Sequence, residues 1–318
     1  MKFFILLIIS LILSLNALAV DTKADQAIVI DYNTGEVLFE KNADNKMPPA
    51  SMTKIMTVYV AFDRLKQTNL SVNDQCTISP KAYKMGGSRT FLELNSNVSI
   101  KDLLLGLIVQ SGNDAAVVLA EGISGDEDAF AREMNSYAKI MGMTNTYFTN
   151  STGWPHPDLQ TSSRDLIILT KKIIKDFPTL YKLFEEKIFT YNNIKQSNRN
   201  PLLYTMNGAD GLKTGHTNES GYGLIGSVKR NDRRVTIVIN GLNSKKKRTF
   251  ESKRLFNIVF RETALLSLFN KKNTLVKANV WLGKQSEVKL VALKPFTKIV
   301  SPLAVSYTHL TLPTILLV

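Results

Sequence analysis

The order of strand-like and helix-like segments is the feature that most restricts the fold of these 318 residues. Two short apolar runs, 27–30 and 37–39, flank a turn that contains Asn and Gly, which is typical of a β-hairpin. Two longer apolar runs, 221–228 and 235–242, flank a charged turn and indicate a second hairpin. The region 80–180 between them has mostly helical periodicity. We therefore predict an α+β fold in which an antiparallel sheet, assembled from both chain ends, packs against an inserted helical cluster.

Apolar residues at helical spacing predict the individual helices. Helices are predicted over residues 51–67, 103–109, 115–121, 132–141, 164–175 and 250–269. Residues 150–160 are rich in Gly and Pro, so this segment is predicted to be a loop. A linker is predicted at 270–273. The apolar positions alternate again over 274–281 and 287–293, which predicts a small C-terminal all-β domain.

Residues 1–19 have the pattern of a secretory signal peptide. Lys2 precedes an apolar run, and Ala17 and Ala19 supply small side chains at the positions that determine cleavage. An uncleaved anchor helix is the alternative, although the run is shorter than the ~20 residues that a membrane-spanning helix needs. In both cases the predicted main domain, residues 20–270, lies outside the cytoplasm.

The C-terminal part of the sequence divides into two segments. Residues 271–304 are predicted to be the start of a truncated all-β domain. The segment 305–318 resembles read-through of a sequencing adapter, so we expect it to be an artefact. A genuine apolar tail is the alternative, but it contains Pro313 and is too short to span a membrane.

The composition restricts the partners and cofactors. The formal net charge is +13. Export separates the protein from nucleic acid, so we expect its basic surface to bind an anionic extracellular polymer or a membrane surface. The alternative is that the basic residues are solvated and bind no partner. Cys76 is the only cysteine, so an internal disulfide is impossible. The three histidines form no metal-binding motif, and neither a metal nor another cofactor is expected.

The first candidate chemical motif is a serine followed three residues later by a lysine. Ser51 and Lys54 open the predicted helix 51–67, and residues three apart share one helix face. Lys54 is therefore placed to take the Ser51 hydroxyl proton, as activation of a serine nucleophile requires. The same spacing recurs three times elsewhere without a helix start, and those matches are interpreted as accidental.

Two further motifs are weak alone and strong together. Ser111 and Asn113 supply a hydroxyl and an amide, although a helix cap is the alternative interpretation. Lys213, Thr214 and Gly215 supply a charge, a hydroxyl and room for close backbone approach at a predicted sheet edge, with a charged loop as the alternative. In this order, Ser-x-x-Lys, Ser-x-Asn and Lys-Thr-Gly form the motif set of penicillin-binding proteins and serine β-lactamases.

The segments around these motifs resemble the low-molecular-mass penicillin-binding proteins that are serine-type D-alanyl-D-alanine carboxypeptidases, peptidase family S11. The matching stretches are 49–57, 110–116, 164–166, 210–217 and 221–222. The resemblance spans most of the chain. It implies a penicillin-binding, serine β-lactamase-like transpeptidase fold, with the main domain as a D,D-peptidase domain.

The resemblance also implies catalytic roles. Ser51 is implied to attack the D-alanyl-D-alanine carbonyl and form an acyl-enzyme, with Lys54 as the general base. Ser111 and Lys213 are implied to pass a proton to the departing D-alanine. The implied substrate-binding residues are Asn113, Thr214, Gly215, His216 and Arg248.

Some of these implied binding roles are more specific. Asn113 is implied to orient the peptide, and Thr214 to bind the terminal carboxylate. The backbone N–H groups of Ser51 and His216 are implied to form an oxyanion hole. His216 replaces the threonine that is common in the family. The alternative interpretation of Arg248 is that it belongs to a run of charged residues exposed to solvent. The segment Met85–Ser88 resembles a flexible loop beside the family's site.

Four alternative functions can be compared with the carboxypeptidase. A class A β-lactamase needs a deacylating glutamate, and the segment 150–160 contains none. A Ser-His-Asp hydrolase of the α/β type needs a Gly-x-Ser-x-Gly motif, which does not surround Ser51. A D,D-endopeptidase and a non-catalytic β-lactam sensor remain open.

The expected partners come from the same resemblance. They are the D-alanyl-D-alanine end of the peptidoglycan stem peptide and β-lactams as inhibitors, with no nucleic acid. The expected location is the periplasm or the outer face of the cytoplasmic membrane. Peripheral membrane attachment would use an amphipathic C-terminal helix beyond this sequence.

Overall fold

The computed structural model describes residues 21–269, 274–281, 283–291 and 296–302. The predicted signal peptide, the predicted linker 270–273 and the segment 305–318 lie outside the described residues. No helix in the described ranges is long and apolar enough to cross a membrane.

The strands, numbered along the chain, are β1 (Gln26–Asp31), β2 (Val37–Lys41), β3 (Gln75–Thr77), β4 (Asn97–Ser99), β5 (Ile188–Tyr191), β6 (Ile194–Ser197), β7 (Ala209–Thr217), β8 (Gly221–Arg230), β9 (Arg233–Leu242), β10 (Ala264–Phe269), β11 (Thr274–Asn279), β12 (Glu287–Val291) and β13 (Phe296–Val300). The helices are α1 (Lys54–Gln67), α2 (Pro80–Tyr83), α3 (Ile100–Leu105), α4 (Asn113–Ser124), α5 (Glu127–Met141), α6 (Ser163–Asp176), α7 (Leu202–Thr205) and α8 (Lys245–Glu262). Short 3₁₀ turns cover Ala50–Thr53 and Leu180–Glu185, and a π turn covers Gly106–Gln110.

The main sheet is built from both chain ends, as predicted. Its five strands are antiparallel and follow the order β2-β1-β9-β8-β7. The N-terminal strand β1 pairs with β9, for example at Val29 and Ile237. Strand β7, which carries the Lys-Thr-Gly motif, forms one edge of this sheet. An edge strand presents unpaired backbone groups that an extended peptide can use.

The sheet separates two apolar cores because strand side chains alternate between faces. Ile28 and Ile30 of β1 belong to the core shared with the helical cluster. Ala27 and Val29, between and beside them, belong to a second core with α8. The apolar residues of β1 therefore alternate between the two cores, which explains why this strand reads as a nearly continuous apolar run.

The predicted helices differ from the observed ones mainly at their ends. The predicted helices 51–67 and 164–175 are confirmed, and 150–160 contains neither a helix nor a strand longer than an isolated bridge. The predicted helix 103–109 is α3 followed by the π turn. The predicted helix 132–141 begins earlier, at Glu127, because the Asp126 carboxylate accepts a 2.6 Å hydrogen bond from Ala129 N and caps α5.

The predicted helix 250–269 was wrong at both ends. Helix α8 begins at Lys245 because the Ser244 hydroxyl accepts a 3.1 Å hydrogen bond from Lys247 N. The helix ends at Glu262, and Ala264–Phe269 forms strand β10, which pairs with β13. The predicted strands of the C-terminal part are observed as the β11–β12 pair. The domain boundary after residue 270 stays a prediction.

Candidate active site

The nucleophile candidate lies where a 3₁₀ turn becomes helix α1. Ser51 is partly exposed in the turn Ala50–Thr53, and Lys54 is the first residue of α1. The Nζ atom of Lys54 lies 3.2 Å from the Ser51 hydroxyl oxygen. The side chain of Lys54 is fully buried. The spacing therefore gives the contact that the sequence predicts.

Two carbonyl groups fix the Lys54 amine. Its Nζ atom donates to Asn113 Oδ1 at 2.7 Å and to the Thr152 carbonyl at 2.5 Å. An uncharged amine has two N–H bonds and one lone pair. Because both N–H bonds have carbonyl acceptors, the lone pair is left to face the Ser51 hydroxyl. This arrangement can remove the hydroxyl proton.

The pKa of Lys54 is lowered from 10.5 to about 7. Burial is the main cause and the positive charge of Arg199 adds to it, whereas the carboxylates of Asp114 and Glu127 oppose the shift. No ion pair joins Lys54 to a carboxylate in the described part of the chain. The uncharged form that a general base requires is therefore well populated near neutral pH.

The Ser-x-Asn motif lies at the start of α4, opposite Lys54. Asn113 Nδ2 donates to the Gly86 carbonyl at 2.7 Å, and Asn113 N donates to the Ser88 carbonyl at 2.7 Å. The loop Met85–Ser88 therefore lies directly beside the site. Ser111 adopts a left-handed backbone conformation, with φ of 65°. Its buried hydroxyl oxygen has no hydrogen-bond partner among the described residues, so it is free to bind a substrate or relay a proton.

The Lys-Thr-Gly motif lies within edge strand β7 rather than in a loop before the next strand. The side chain of Lys213 is buried, and burial together with the positive charges of Lys54, Arg199 and Arg248 holds its pKa well below 10.5. A Cβ atom at Gly215 would lie 3.0 Å from the Pro49 carbonyl oxygen. Glycine at 215 therefore lets β7 approach the turn that holds the nucleophile.

The structure also brings Arg248 to this strand. The His216 ring packs on Tyr222, with 3.8 Å between ring centroids, and the Arg248 guanidinium lies 6.0 Å from the Tyr222 ring centre. Arg248 is 7% exposed and pairs with no carboxylate in the described ranges. Burial lowers the pKa of Arg248 to about 10. The pKa of His216 is also lowered, by its burial and by the positive charges of Arg248 and Lys245. A buried cation without a counter-ion can bind an anion.

Three groups of this site have no sequence signal. The Thr152 carbonyl is a backbone group, and any residue type could supply it. Glu127 accepts hydrogen bonds from Ser151 N at 3.0 Å and Ser151 Oγ at 2.6 Å, so it fixes the loop that presents that carbonyl. Arg199 reaches the site from the segment after β6 and contacts the Ser88 hydroxyl. The described residues contain no group of His, Cys, Asp and Glu side chains that could hold a metal ion.

The sequence matches a family and several characterised relatives. The family model for D-alanyl-D-alanine carboxypeptidases of peptidase family S11 matches residues 14–244. The D-alanyl-D-alanine carboxypeptidase DacC of Escherichia coli K12 is 40% identical over 286 residues, which are 88% of this chain and 71% of the relative. A D-alanyl-D-alanine endopeptidase of the same organism is 32% identical over 228 residues, 69% of this chain and 71% of that protein.

Solved structures show the same fold. Penicillin binding protein 5 from Haemophilus influenzae has a TM-score of 0.82 and 38% identity, over 89% of this chain and 84% of that chain. Penicillin-Binding Protein D2 from Listeria monocytogenes, solved in its ampicillin-bound form, has a TM-score of 0.69 and 29% identity, over 76% of this chain and 98% of that chain. The chain belongs to peptidase family S11 and is a serine hydrolase of the D-alanyl-D-alanine carboxypeptidase type.

Proposed function

We propose that Ser51 is the nucleophile of this carboxypeptidase and that Lys54 is its general base. The 3.2 Å approach of Lys54 Nζ to Ser51 Oγ carries the proposal, since the two remaining amine bonds are held by Asn113 and Thr152. Lys54 takes the hydroxyl proton as Ser51 Oγ attacks the carbonyl carbon of the penultimate D-alanine. The peptide C–N bond then breaks, and an acyl-enzyme and free D-alanine result.

The departing amine needs a proton, and the free Ser111 hydroxyl supports a relay to it. Ser111 donates its proton to the leaving nitrogen and regains the proton that Lys54 took from Ser51, either directly or through Lys213. The backbone N–H groups of Ser51 and His216 stabilise the oxyanion. Loss of one such donor typically lowers the rate by about 10²–10³. Water then attacks the acyl-enzyme while Lys54 accepts its proton, the acyl C–O bond to Ser51 breaks, and Lys54 returns the proton to Ser51 Oγ.

The substrate's terminal carboxylate binds between Thr214 and Arg248 in this proposal. Arg248 is buried without a carboxylate partner in the described ranges, so a substrate anion supplies the missing charge. Asn113 holds the substrate peptide through its amide. These contacts select a free carboxyl terminus, which the stem pentapeptide of peptidoglycan has.

We propose penicillin as an inhibitor because it would acylate the same serine. The ampicillin-bound relative supports this proposal. Export through the signal peptide 1–19, action in the periplasm or on the outer face of the cytoplasmic membrane, peripheral membrane attachment and a role in cell-wall synthesis and cell shape belong to the same proposal. They agree with the cell-wall substrate.

The test is D-alanine release from a peptide that ends in Lys-D-Ala-D-Ala, with protein spanning residues 20–302. We expect release by the wild type and none by Ser51→Ala, with penicillin labelling lost in parallel. Release by Ser51→Ala at the wild-type rate would contradict the assignment of the nucleophile.

A D,D-endopeptidase is the second candidate, because an endopeptidase is among the similar proteins. Both activities cleave after D-alanine, and they differ in the group on the carboxyl side of the scissile bond. Incubation with cross-linked dimer muropeptides separates them. Cleavage of the dimers at a rate that matches D-alanine release from pentapeptides would favour the endopeptidase.

A further inference from the structure

Asp114, the residue after Asn113, carries a buried carboxylate that takes no part in the proposed reaction. It lies in the first turn of α4, is fully buried and forms no ion pair in the described ranges. A buried carboxylate without a cation needs hydrogen bonds to replace the water that it loses. The donors that surround Asp114 therefore show what the carboxylate holds in place.

Three successive backbone groups of the segment between α2 and β4 supply these hydrogen bonds. Thr90 N donates to both carboxylate oxygens, at 2.8 and 2.9 Å. Phe91 N donates at 3.0 Å and Leu92 N at 3.4 Å. Phe91 has a left-handed backbone, with φ of 67°, which is unfavourable for this residue type. Successive N–H groups around such a residue form a concave nest that binds an anion, and here the anion is the Asp114 carboxylate.

The nest packs tightly on the Ser-x-Asn turn. A Cβ atom at Gly112 would lie 2.1 Å from Thr90 Oγ1, and one at Gly106 would lie 2.4 Å from the same oxygen. Gln196 Nε2 of β6 donates to the Thr90 carbonyl at 3.1 Å. Thr90 is therefore fully buried, and its backbone is held at both its N–H and its carbonyl group.

The same loop, residues 85–92, fixes the Asn113 side chain that faces the general base. The Ser88 carbonyl accepts from Asn113 N, and the Gly86 carbonyl accepts from Asn113 Nδ2, both at 2.7 Å. Because Nδ2 is held by Gly86, the Asn113 amide turns Oδ1 towards Lys54 Nζ, 2.7 Å away. If the loop left this position, the amide could rotate, and Lys54 would lose one of the two acceptors that orient it.

We propose that Asp114 is a positioning residue that anchors the loop 85–92 against Asn113. The anchored loop sets the direction of the Asn113 amide, and that amide orients the Lys54 amine towards Ser51. The proposal rests on the proposed function, since it takes Lys54 as the general base. The Asp114 carboxylate touches none of the reacting atoms and acts through the loop.

Trp154 reports on the position of this loop independently of activity. A Cβ atom at Gly86 or Gly87 would lie 3.3 or 3.2 Å from the Trp154 ring, so the ring packs on the loop. The chain has one other tryptophan, Trp281, so Trp154 fluorescence is isolated in a Trp281→Phe parent protein. Displacement of the loop would uncover the indole ring and increase its quenching by acrylamide.

The first test is Asp114→Asn in this parent, by stopped-flow acylation with a chromogenic β-lactam and by Trp154 quenching. Acylation is measured at pH 9, where Lys54, with its pKa of about 7, is uncharged with or without the Asp114 charge. A displacement of about 1 Å can lower a catalytic rate about 100-fold. We therefore expect acylation to slow by about 10–100-fold and quenching to increase.

The matched control is Asp165→Asn. Asp165 is also a buried carboxylate in the first turn of a helix, α6, and it accepts a 2.8 Å hydrogen bond from Asn145 N of another loop. This variant should keep the acylation rate and the Trp154 quenching of the parent.

A second pair of variants tests the anchor from the loop side and leaves the buried carboxylate in place. The Phe91 side chain is 44% exposed. Phe91→Pro removes one N–H group of the nest and cannot adopt a φ of 67°. Phe91→Gly keeps the N–H group and adopts positive φ readily. We expect Phe91→Pro to slow acylation and increase quenching, and Phe91→Gly to resemble the parent.

The proposal requires both changes together. Acylation or quenching like that of the parent in folded Asp114→Asn, or in Phe91→Pro, would overturn it. Far-UV circular dichroism shows whether each variant is folded, and if Asp114→Asn does not fold, the Phe91 pair decides. If the β-lactam did not acylate the parent, the proposed function would fail and this proposal with it, whereas the quenching would still show whether Asp114 holds the loop.

Discussion

The pKa of Lys54 makes the pH dependence of acylation the most informative property to measure. An ordinary lysine with a pKa of 10.5 is uncharged in roughly one molecule in three thousand at pH 7. With its pKa lowered to about 7, Lys54 is uncharged in about half of the molecules. The lowered pKa therefore increases the fraction of Lys54 in the uncharged, proton-accepting form by about a thousandfold at pH 7. We expect kcat/KM for acylation to rise with pH and to level off above about pH 7.

Two substitutions should move that rise in opposite directions. The Arg199 charge lowers the pKa of Lys54, so Arg199→Gln should raise it and shift the rise in activity to higher pH. The Glu127 charge raises the pKa of Lys54, so Glu127→Gln should shift the rise to lower pH. Neither side chain contacts the Lys54 amine, so both effects act through charge.

Stopped-flow acylation with a chromogenic β-lactam between pH 5 and 9 measures the shift directly. Glu127 also fixes the loop at Ser151 through two hydrogen bonds, so its variant should lose rate at every pH in addition. The midpoint of the profile separates the two effects, because a structural loss lowers the plateau and leaves the midpoint in place. Shifts of both midpoints in the same direction would refute the electrostatic reasoning.

The same site supports three further predictions. Arg248→Gln should lower kcat/KM for the carboxylate peptide by about 10–100-fold, because a charge-assisted hydrogen bond contributes about 1.5–3 kcal/mol. With a peptide that ends in an amide, the wild type and Arg248→Gln should have similar kcat/KM. His216→Thr should remove a change in KM at acidic pH, where a protonated His216 adds charge beside Arg248; because burial lowers the pKa of His216, this change should lie at lower pH than for an ordinary histidine. Superimposable pH profiles would exclude a role of the ring. Gly153→Ala should destabilise the protein by about 2–4 kcal/mol in denaturant titration. A Cβ atom there, at φ of 80°, would lie 1.8 Å from the Ala50 carbonyl oxygen. Gly125→Ala, where the added Cβ atom meets open space, should destabilise the protein by only about 1 kcal/mol.

The sequence was sufficient to predict features in which residue type and spacing point to the same structure. The Ser51–Lys54 contact follows from helical spacing, and the sheet built from both chain ends follows from two separated apolar hairpins. Edge strand β7 was harder to predict, because Lys213 is a charged residue in a strand and does not fit an apolar pattern. Burial holds its pKa well below 10.5.

The parts that sequence reasoning missed depend on tertiary contacts. An apolar segment such as 264–269 fits a helix end and a strand equally well, and pairing with β13 decides between them. The Thr152 carbonyl is presented by a loop whose position depends on Glu127, a residue 25 positions earlier that has no motif of its own. Arg199 acts through its charge, and a single arginine gives no spacing to recognise.

The positive charges of the site connect binding with base strength. Arg199 lowers the pKa of Lys54, and Lys54, Arg199 and Arg248 lower the pKa of Lys213. None of these four side chains forms an ion pair in the described ranges. The positive charges attract a carboxylate, and the charge of Arg199 also helps to keep Lys54 uncharged and able to accept a proton. A bound carboxylate offsets part of this field and so raises the pKa of Lys54. A substrate in which an amide replaces the carboxylate should therefore bind less tightly, and its kcat should rise at a lower pH than the kcat of the carboxylate substrate.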